Sequence, residues 1–320
     1  MSFSATIKKE LTQLEAKPCC RRAELSALVR MNGSVQPKPG GPVVEITTEN
    51  PSTARHVFTL LKQLFQVQPE ILVRRKIRLK KNNVYMIRLS EKTAWILSML
   101  GIFRKGSWER VEGILPDLLK KPCCKRAYLR GAFLAAGSVN SPDSGSYHME
   151  ILSTYHDHSQ GLLDLMNHFH LHARMIERKK GYVVYIKEGD KIGEFLNIIG
   201  AHPSLLRFEN IRIMKDMRNS VNRLVNCETA NLNKTIQAAM RQIENIRLIE
   251  SEIGLENLPP RLREVAETRL RHPDVNLAEL GQLLPEKVSK SAVNHRIRKL
   301  NEMAEKLREN GKTSDEPSST

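Results

Sequence analysis

Two stretches of the chain repeat one order of apolar and polar positions. Lys17 to Val35, KPCCRRAELSALVRMNGSV, and Lys121 to Val139, KPCCKRAYLRGAFLAAGSV, lie 104 positions apart and agree at ten of nineteen. Leu25, Leu28 and Val29 in the first, and Leu129, Ala132 and Phe133 in the second, predict one buried stripe on each of two helices. Small residues beside the stripe, Ala27 and Gly131, would let two helices cross closely, and Gly33 and Gly137 stand where a left-handed cap is expected. The segments downstream of each copy also correspond. A strand-like stretch around Glu45-Ile46 or Glu150-Ile151 precedes an apolar-periodic helix (Val57, Leu60, Leu61, Leu64; Leu162, Leu165, Met166, Phe169). Two alternating runs then read as a hairpin. In the first copy Lys76, Arg78 and Lys80 share one side of the outgoing run, Asn82-Asn83 forms the turn, and Val84, Met86 and Arg88 return. In the second, Arg174 to Lys179 runs to Gly181 and returns through Tyr182 to Ile186. Each copy closes on a helix ending at Leu100-Gly101 or Ile199-Gly200, so residues 1–205 read as a duplicated α+β domain with repeats at about 17–102 and 121–201.

Past the repeats the period changes. In 206–257, a helical connector, Leu232, Ile236, Ala239, Ile243 and Ile246 form one amphipathic stripe, expected to pack on its own chain, with dimerisation as the alternative. The polar Asn226 to Asn231 segment before it reads as a loop with capping hydrogen bonds, or as a phosphate contact. Residues 258–309 carry three helical patterns. Leu262, Val265, Ala266 and Leu270 stripe the first, which enters at Pro259-Pro260 and stops before Pro273. Asn276 with Glu279 makes a capping box for the second, with Leu277, Leu280 and Leu284 inward, and Ser289 caps a third striped by Val293, Ile297 and Leu300.

The other face of that third helix carries the chemistry. Ser291, Asn294, His295 and Arg298 lie at i, i+3, i+4 and i+7 away from the apolar stripe, and Lys290 sits at the helix entrance. Two helices joined across Pro285 to Val288, the second with hydrogen-bonding and cationic side chains outward, predict a helix-turn-helix core at about 276–309 that enters a DNA major groove. Arg298 suits a guanine edge and Asn294 an adenine edge; Lys290, Arg296 and Lys299 suit phosphates. An ordinary solvated basic helix is the plain alternative. Residues 310–320, rich in Ser, Thr, Lys and acids, read as a disordered tail.

Charge changes the picture in one respect. The net +16 is concentrated in residues 1–205, which carry 31 Lys and Arg against 18 Asp and Glu, whereas residues 258–320 are only +2. The duplicated domain is therefore a candidate for auxiliary phosphate contacts through Lys76, Arg78, Lys80 and Arg88, or for protein partners. Aromatic residues are 5% of the chain, too few to favour a stacking surface for single strands. The longest apolar run, Trp95 to Phe103, is too short to span a bilayer and the polar start lacks a signal core, so the expectation is a soluble cytoplasmic protein without a membrane partner. The five cysteines, two adjacent pairs (Cys19-Cys20, Cys123-Cys124) and Cys227, do not form a disulfide framework. A four-thiolate zinc site from the two pairs is the alternative to simple packing of half-buried cysteines. Packing is expected, because neighbouring residues usually diverge and zinc ligands are normally spaced by two to four residues. No cofactor and no metal are expected.

The segments Leu25 to Gly33, LSALVRMNG, and Leu129 to Gly137, LRGAFLAAG, resemble two diverged LAGLIDADG motifs. In the homing endonucleases of that name, such helices pair above a saddle-shaped sheet that sits on DNA, and the acid before each final glycine binds catalytic divalent ions. Here those positions are Asn32 and Ala136, and the first acid of the pattern is replaced by Arg30 and Leu134. The resemblance thus implies a degenerate site with no catalytic residues. A divalent-metal endonuclease with relocated acids at Glu45 and Glu150 is the enzymatic rival, and solvated or structural strand carboxylates the plainer reading. From Ser2-Phe3-Ser4 through both KPCC helices and Arg223 to Asn231 to the final helical module, the order resembles the bacterial WhiA family. That resemblance implies a non-enzymatic regulator of transcription on double-stranded DNA, nucleoid-associated and tied to cell division, chromosome segregation and sporulation. A division-machinery interaction protein with incidental DNA binding is the third reading.

Overall fold

The computed structural model describes residues 2–38, 41–75 and 83–313, and the chain divides into two compact units at Asp216/Met217. The first unit opens with helix α1 (Phe3–Leu11), capped by the Ser2 hydroxyl. Repeat one continues as α2 (Pro18–Asn32), β1 (Gly33–Gln36), β2 (Val43–Thr48), α3 (Pro51–Phe65), β3 (Glu70–Arg75), β4 (Asn83–Leu89) and α4 (Thr93–Met99). Repeat two is α5 (Pro122–Ala136), β5 (Gly137–Val139), β6 (Met149–Ser153), α6 (His156–His168), β7 (Arg174–Arg178), β8 (Gly181–Ile186) and α7 (Gly189–Ile199). The sheets have the same antiparallel order, β1-β2-β4-β3 and β5-β6-β8-β7. Ser34 pairs with Glu45, as Ser138 pairs with Glu150, so the two carboxylates occupy equivalent places. This is the duplicated α+β architecture that the repeat predicts, and the LAGLIDADG-like one that the resemblance implies.

The helices α2 and α5 pack together at the centre, burying Leu25, Leu28, Val29, Leu129, Ala132 and Phe133 in one continuous core. A Cβ at Gly131 would strike the Glu24 carbonyl, so the small residue sets the close approach of the two backbones. Gly33 and Gly137 differ from the expected left-handed caps. Both have extended backbone, with φ of −89° and −79°. They are needed for space, since a Cβ would meet the Val29 carbonyl or the Phe133 ring as each helix turns directly into a strand. A buried ion network also joins the repeats. Glu24 on α2 accepts from Arg130 Nη2 on α5 at 2.8 Å and pairs with His56 Nε2 of α3 at 2.7 Å. Burial pushes the Glu24 carboxyl up, but hydrogen bonds and charge from His56 and Arg130 outweigh it and hold the group below its usual range.

Helix α8 (His202–Glu252) is continuous and contains the unit boundary. The polar segment at 226–231, expected as a loop, is helical within it. Helix hydrogen bonds satisfy that backbone, so no capping loop is required. The apolar stripe packs on its own unit only toward its C-terminal end: Ala239 and Ile246 are buried, while Leu232 and Ile236 are exposed. Ile246 and Ile249 join the second core together with residues of α9 (Pro260–Arg271), α10 (Leu277–Leu283) and α11 (Lys290–Thr313). Asn245 ties α8 to α11, donating to Asn301 Oδ1 at 2.8 Å and accepting from Arg308 Nη2 at 2.6 Å. The end of the connector is thus a fourth helix of the C-terminal module. Helix α11 extends through 310–313, where the composition suggests the start of a disordered tail. Among the described residues, no helix is long and apolar enough to cross a membrane.

Candidate nucleic-acid interface

The C-terminal unit presents helix α11 as predicted. Asn276 accepts from Ala278 N and Glu279 N while Glu279 Oε2 accepts from Asn276 N, closing the capping box of α10. Ser289 Oγ accepts from Ala292 N and starts α11. The connection is Leu284 to Ser289, longer than the expected four residues, because α10 ends at Leu283 and Leu284 turns inward as a buried residue. Val288 N donates to the Gly281 carbonyl at 3.1 Å, and a Cβ at Gly281 would strike the Val288 carbonyl. This contact sets the angle between the two helices.

Val293, Ile297 and Leu300 face the core, and Lys290, Ser291, Asn294, His295, Arg298 and Lys299 lie exposed on α11. Arg296 differs: it is half-buried and its Nη1 has no hydrogen-bond partner. Arg298 Nε donates to Glu302 Oε1 at 3.1 Å along the helix, an exposed pair that a competing acceptor can open at small cost. The outward surface therefore has a guanidinium, an amide, a hydroxyl and an imidazole within two turns, the donor and acceptor types that recognise base edges.

In the first unit, an open groove of about 1470 Å³ runs over the first sheet, lined by Lys8, Asn32, Glu45, Arg74 and Arg88 among others. Asn32, one of the two positions that carry an acid in the LAGLIDADG motif, lines it, and the residues at those positions do not fit a divalent ion. Asn32 Nδ2 donates to the Ala135 carbonyl at 3.4 Å, and Ala136 has no donor atom in its side chain. Lys8, whose ammonium burial pushes down to about 8, lines the same groove and opposes a divalent cation. The first-acid position, Arg30, is buried and donates to the Val111 and Gly101 carbonyls at 2.9 and 2.5 Å, so it anchors the inter-repeat loop.

The rival acids are both engaged. Glu45 accepts from Arg88 Nη2 at 2.9 Å and from Gln36 Nε2 at 3.0 Å; Glu150 pairs with His148 Nε2 at 3.1 Å and Arg178 Nη1 at 3.3 Å. Arg88, expected as a phosphate contact, is thereby committed to Glu45. Lys76, Arg78 and Lys80 lie outside the described residues. Two groupings differ from the expected arrangement: the first is not anticipated by the sequence pattern, and the second is the alternative there to simple packing of the cysteines. One is the Glu24, His56 and Arg130 network, whose members are scattered in the chain. The other is the convergence of Cys19, Cys20, Cys123 and Cys124, whose sulfurs all lie within 4.8 Å of one another. Neighbouring thiols are expected to diverge, but each pair opens a helix and the two helix starts meet.

Comparison with known proteins gives a consistent result over the whole chain. Residues 18–103 match the WhiA N-terminal LAGLIDADG-like domain, 125–218 the WhiA LAGLIDADG-like domain, and 221–304 the WhiA C-terminal HTH domain. The chain is 60% identical over 310 residues to "Probable cell division protein WhiA" of Brevibacillus brevis, covering 97% of this chain and 98% of that protein. It is 59% identical over 310 residues to the protein of the same name in Shouchella clausii, covering 96% and 95%. A crystal structure of full-length DUF199/WhiA from Thermatoga maritima aligns with a TM-score of 0.60 at 28% identity, covering 96% of this chain and 99% of that one. With three consecutive domain matches and near-complete alignment to such relatives, the protein belongs to the WhiA family.

Proposed function

We propose that the protein is a sequence-specific double-stranded DNA-binding regulator of transcription, acting on the nucleoid in the cytoplasm without nuclease activity. The observation that carries this reading is the exposed polar and cationic face of α11, set off by a capped α10 and a short turn. Asn294 and Arg298 read bases, while Lys290 and Lys299 hold the backbone. The cell-division names of the relatives suggest that the controlled genes serve division. The loss of acids at Asn32 and Ala136, with Lys8 lining the same groove, supports binding without cleavage.

The test is selection of bound duplexes from fragmented genomic DNA by the full-length chain, followed by titration of the recovered site against a scrambled duplex. Recovery of one motif with at least about a thousandfold preference supports a sequence-specific regulator. Equal affinity for both duplexes overturns it. Plasmid incubated with the protein and magnesium or manganese should stay supercoiled. Nicking that disappears in Glu45→Gln or Glu150→Gln would restore the endonuclease reading.

A further inference from the structure

We propose that Cys19, Cys20, Cys123 and Cys124 form a tetrahedral tetrathiolate site for one zinc ion, which ties the first turns of the two central helices together. The four sulfurs lie within 4.8 Å of one another, and the two on α2 are 4.0 Å apart. With zinc–sulfur bonds of about 2.3 Å, the edges of such a tetrahedron are about 3.8 Å, so closure needs less than about 1 Å of movement per edge. Each adjacent pair supplies one edge, and the meeting of two equivalent helices brings the edges face to face. That answers the usual objection to adjacent ligands: the spacing that matters here is between repeats.

The chemistry selects the ion. Four soft thiolates with no carboxylate among them suit zinc over magnesium or calcium. An iron–sulfur cubane would place its own irons and sulfides between the cysteines and spread them beyond this cluster. Binding four thiols to one zinc ion releases four protons and leaves a complex of charge −2. That charge is met by the positive ends of two helix dipoles, since Pro18 and Pro122 open α2 and α5 with no side-chain cap. Lys17, Arg126 and Arg130 line one pocket with Cys20 and Cys123, against one acid, Glu15, so its charge is on balance positive. Cys20 and Cys124 are buried and Cys123 is exposed, so the site has one solvent-facing edge through which the ion can enter. Cys227, an exposed cysteine in the second unit, lies outside the cluster.

The full-length chain, purified with reductant and without chelator, should carry one zinc per molecule by elemental analysis. A thiol reagent should then modify Cys227 quickly and the other four slowly, and removing zinc with a strong chelator should make all five react. Cobalt(II) added to the metal-free chain should give the intense visible bands and thiolate charge transfer of a tetrahedral sulfur site, at one equivalent. The variant Cys227→Ser should retain the metal, and Cys19→Ser with Cys123→Ser should lose it. Since that double variant can fail to fold, the cobalt spectrum of the unaltered chain is decisive. Weak octahedral cobalt bands, substoichiometric metal with rapid reaction of Cys123, or recovery of the four cysteines as disulfides would each overturn the proposal. None of these readouts involves DNA, so they are independent of the proposed regulator function.

Discussion

Arg298 offers the sharpest test of the DNA-reading face. Its side chain is 74% exposed and its Nε donates to Glu302 Oε1 at 3.1 Å. An exposed ion pair is worth about 0–1 kcal/mol, so freeing the guanidinium costs at most that amount. A bidentate contact with guanine contributes about 1–3 kcal/mol of discrimination. Arg298→Ala should therefore weaken binding to the selected duplex by about 5- to 150-fold and bring the affinities for matched and single-base-changed duplexes together. Glu302→Ala removes the internal competitor and an acid near the phosphates, and should strengthen specific binding by up to about fivefold. Fluorescence anisotropy on matched and changed duplexes at several salt concentrations measures both effects. A side chain that contacts only phosphate would weaken both duplexes alike and lower the salt slope by about 0.9. Equal losses on the two duplexes after Arg298→Ala, or none, would refute base reading by this residue.

Other expectations concern the scaffold. Glu24→Gln leaves Arg130, whose side chain is 11% exposed, beside a neutral partner, and should cost about 3 kcal/mol, lowering the melting temperature of the first unit by roughly 6 °C or more in calorimetry. Because the Glu24 carboxyl is held below its usual range, its stabilisation is complete above the unfolded value of 4.5 and is lost as pH falls through the folded value; the variant should lack that component. His158 bonds to Tyr128 Oη at 2.9 Å and Ser153 Oγ at 2.8 Å, and burial, with the Arg30 and Arg110 charges, lowers it to about 3. The unfolded chain binds this proton first, so stability should fall by about 1.4 kcal/mol per pH unit below about 6.5, and urea titrations of His158→Gln between pH 7 and 5 should show a flatter acid limb. Gly281→Ala drives a methyl into the Val288 carbonyl, and should destabilise the second unit by about 1–3 kcal/mol with a matching drop in its thermal midpoint; an unchanged midpoint would mean that the turn is free to move.

Local and repeated features are the most legible in the sequence. The duplicated helix, its stripe at Leu25, Leu28 and Val29, the hairpin around Gly181, and the Asn276 and Ser289 caps follow from periodicity and short-range hydrogen bonding. The outward positions of Asn294 and Arg298 follow from the same helical arithmetic, since a buried stripe leaves its opposite face in solvent. Features that depend on packing are harder to read. Asn226 to Asn231 has loop-like composition, yet it continues α8, because propensity is a weak guide against the cooperativity of a long helix. Gly33 suggests a left-handed cap, but the requirement at that position is space beside Val29.

What the amino-acid order dictated was therefore everything governed by neighbours a few residues away: two copies of one unit, the helices and strands within each, the caps, and the face that α11 turns to solvent. Most contacts across large separations were outside its reach. Glu24 and Arg130 meet from opposite repeats, Lys8 lines the same groove as Asn32 from a separate helix, and Ile246 completes a core with Val265 and Leu300. The four cysteines show the reason most directly. Along one helix, adjacent thiols have little reason to share a ligand, and only the close approach of α2 and α5, permitted by Gly131 without a side chain, brings the second pair within reach of the first.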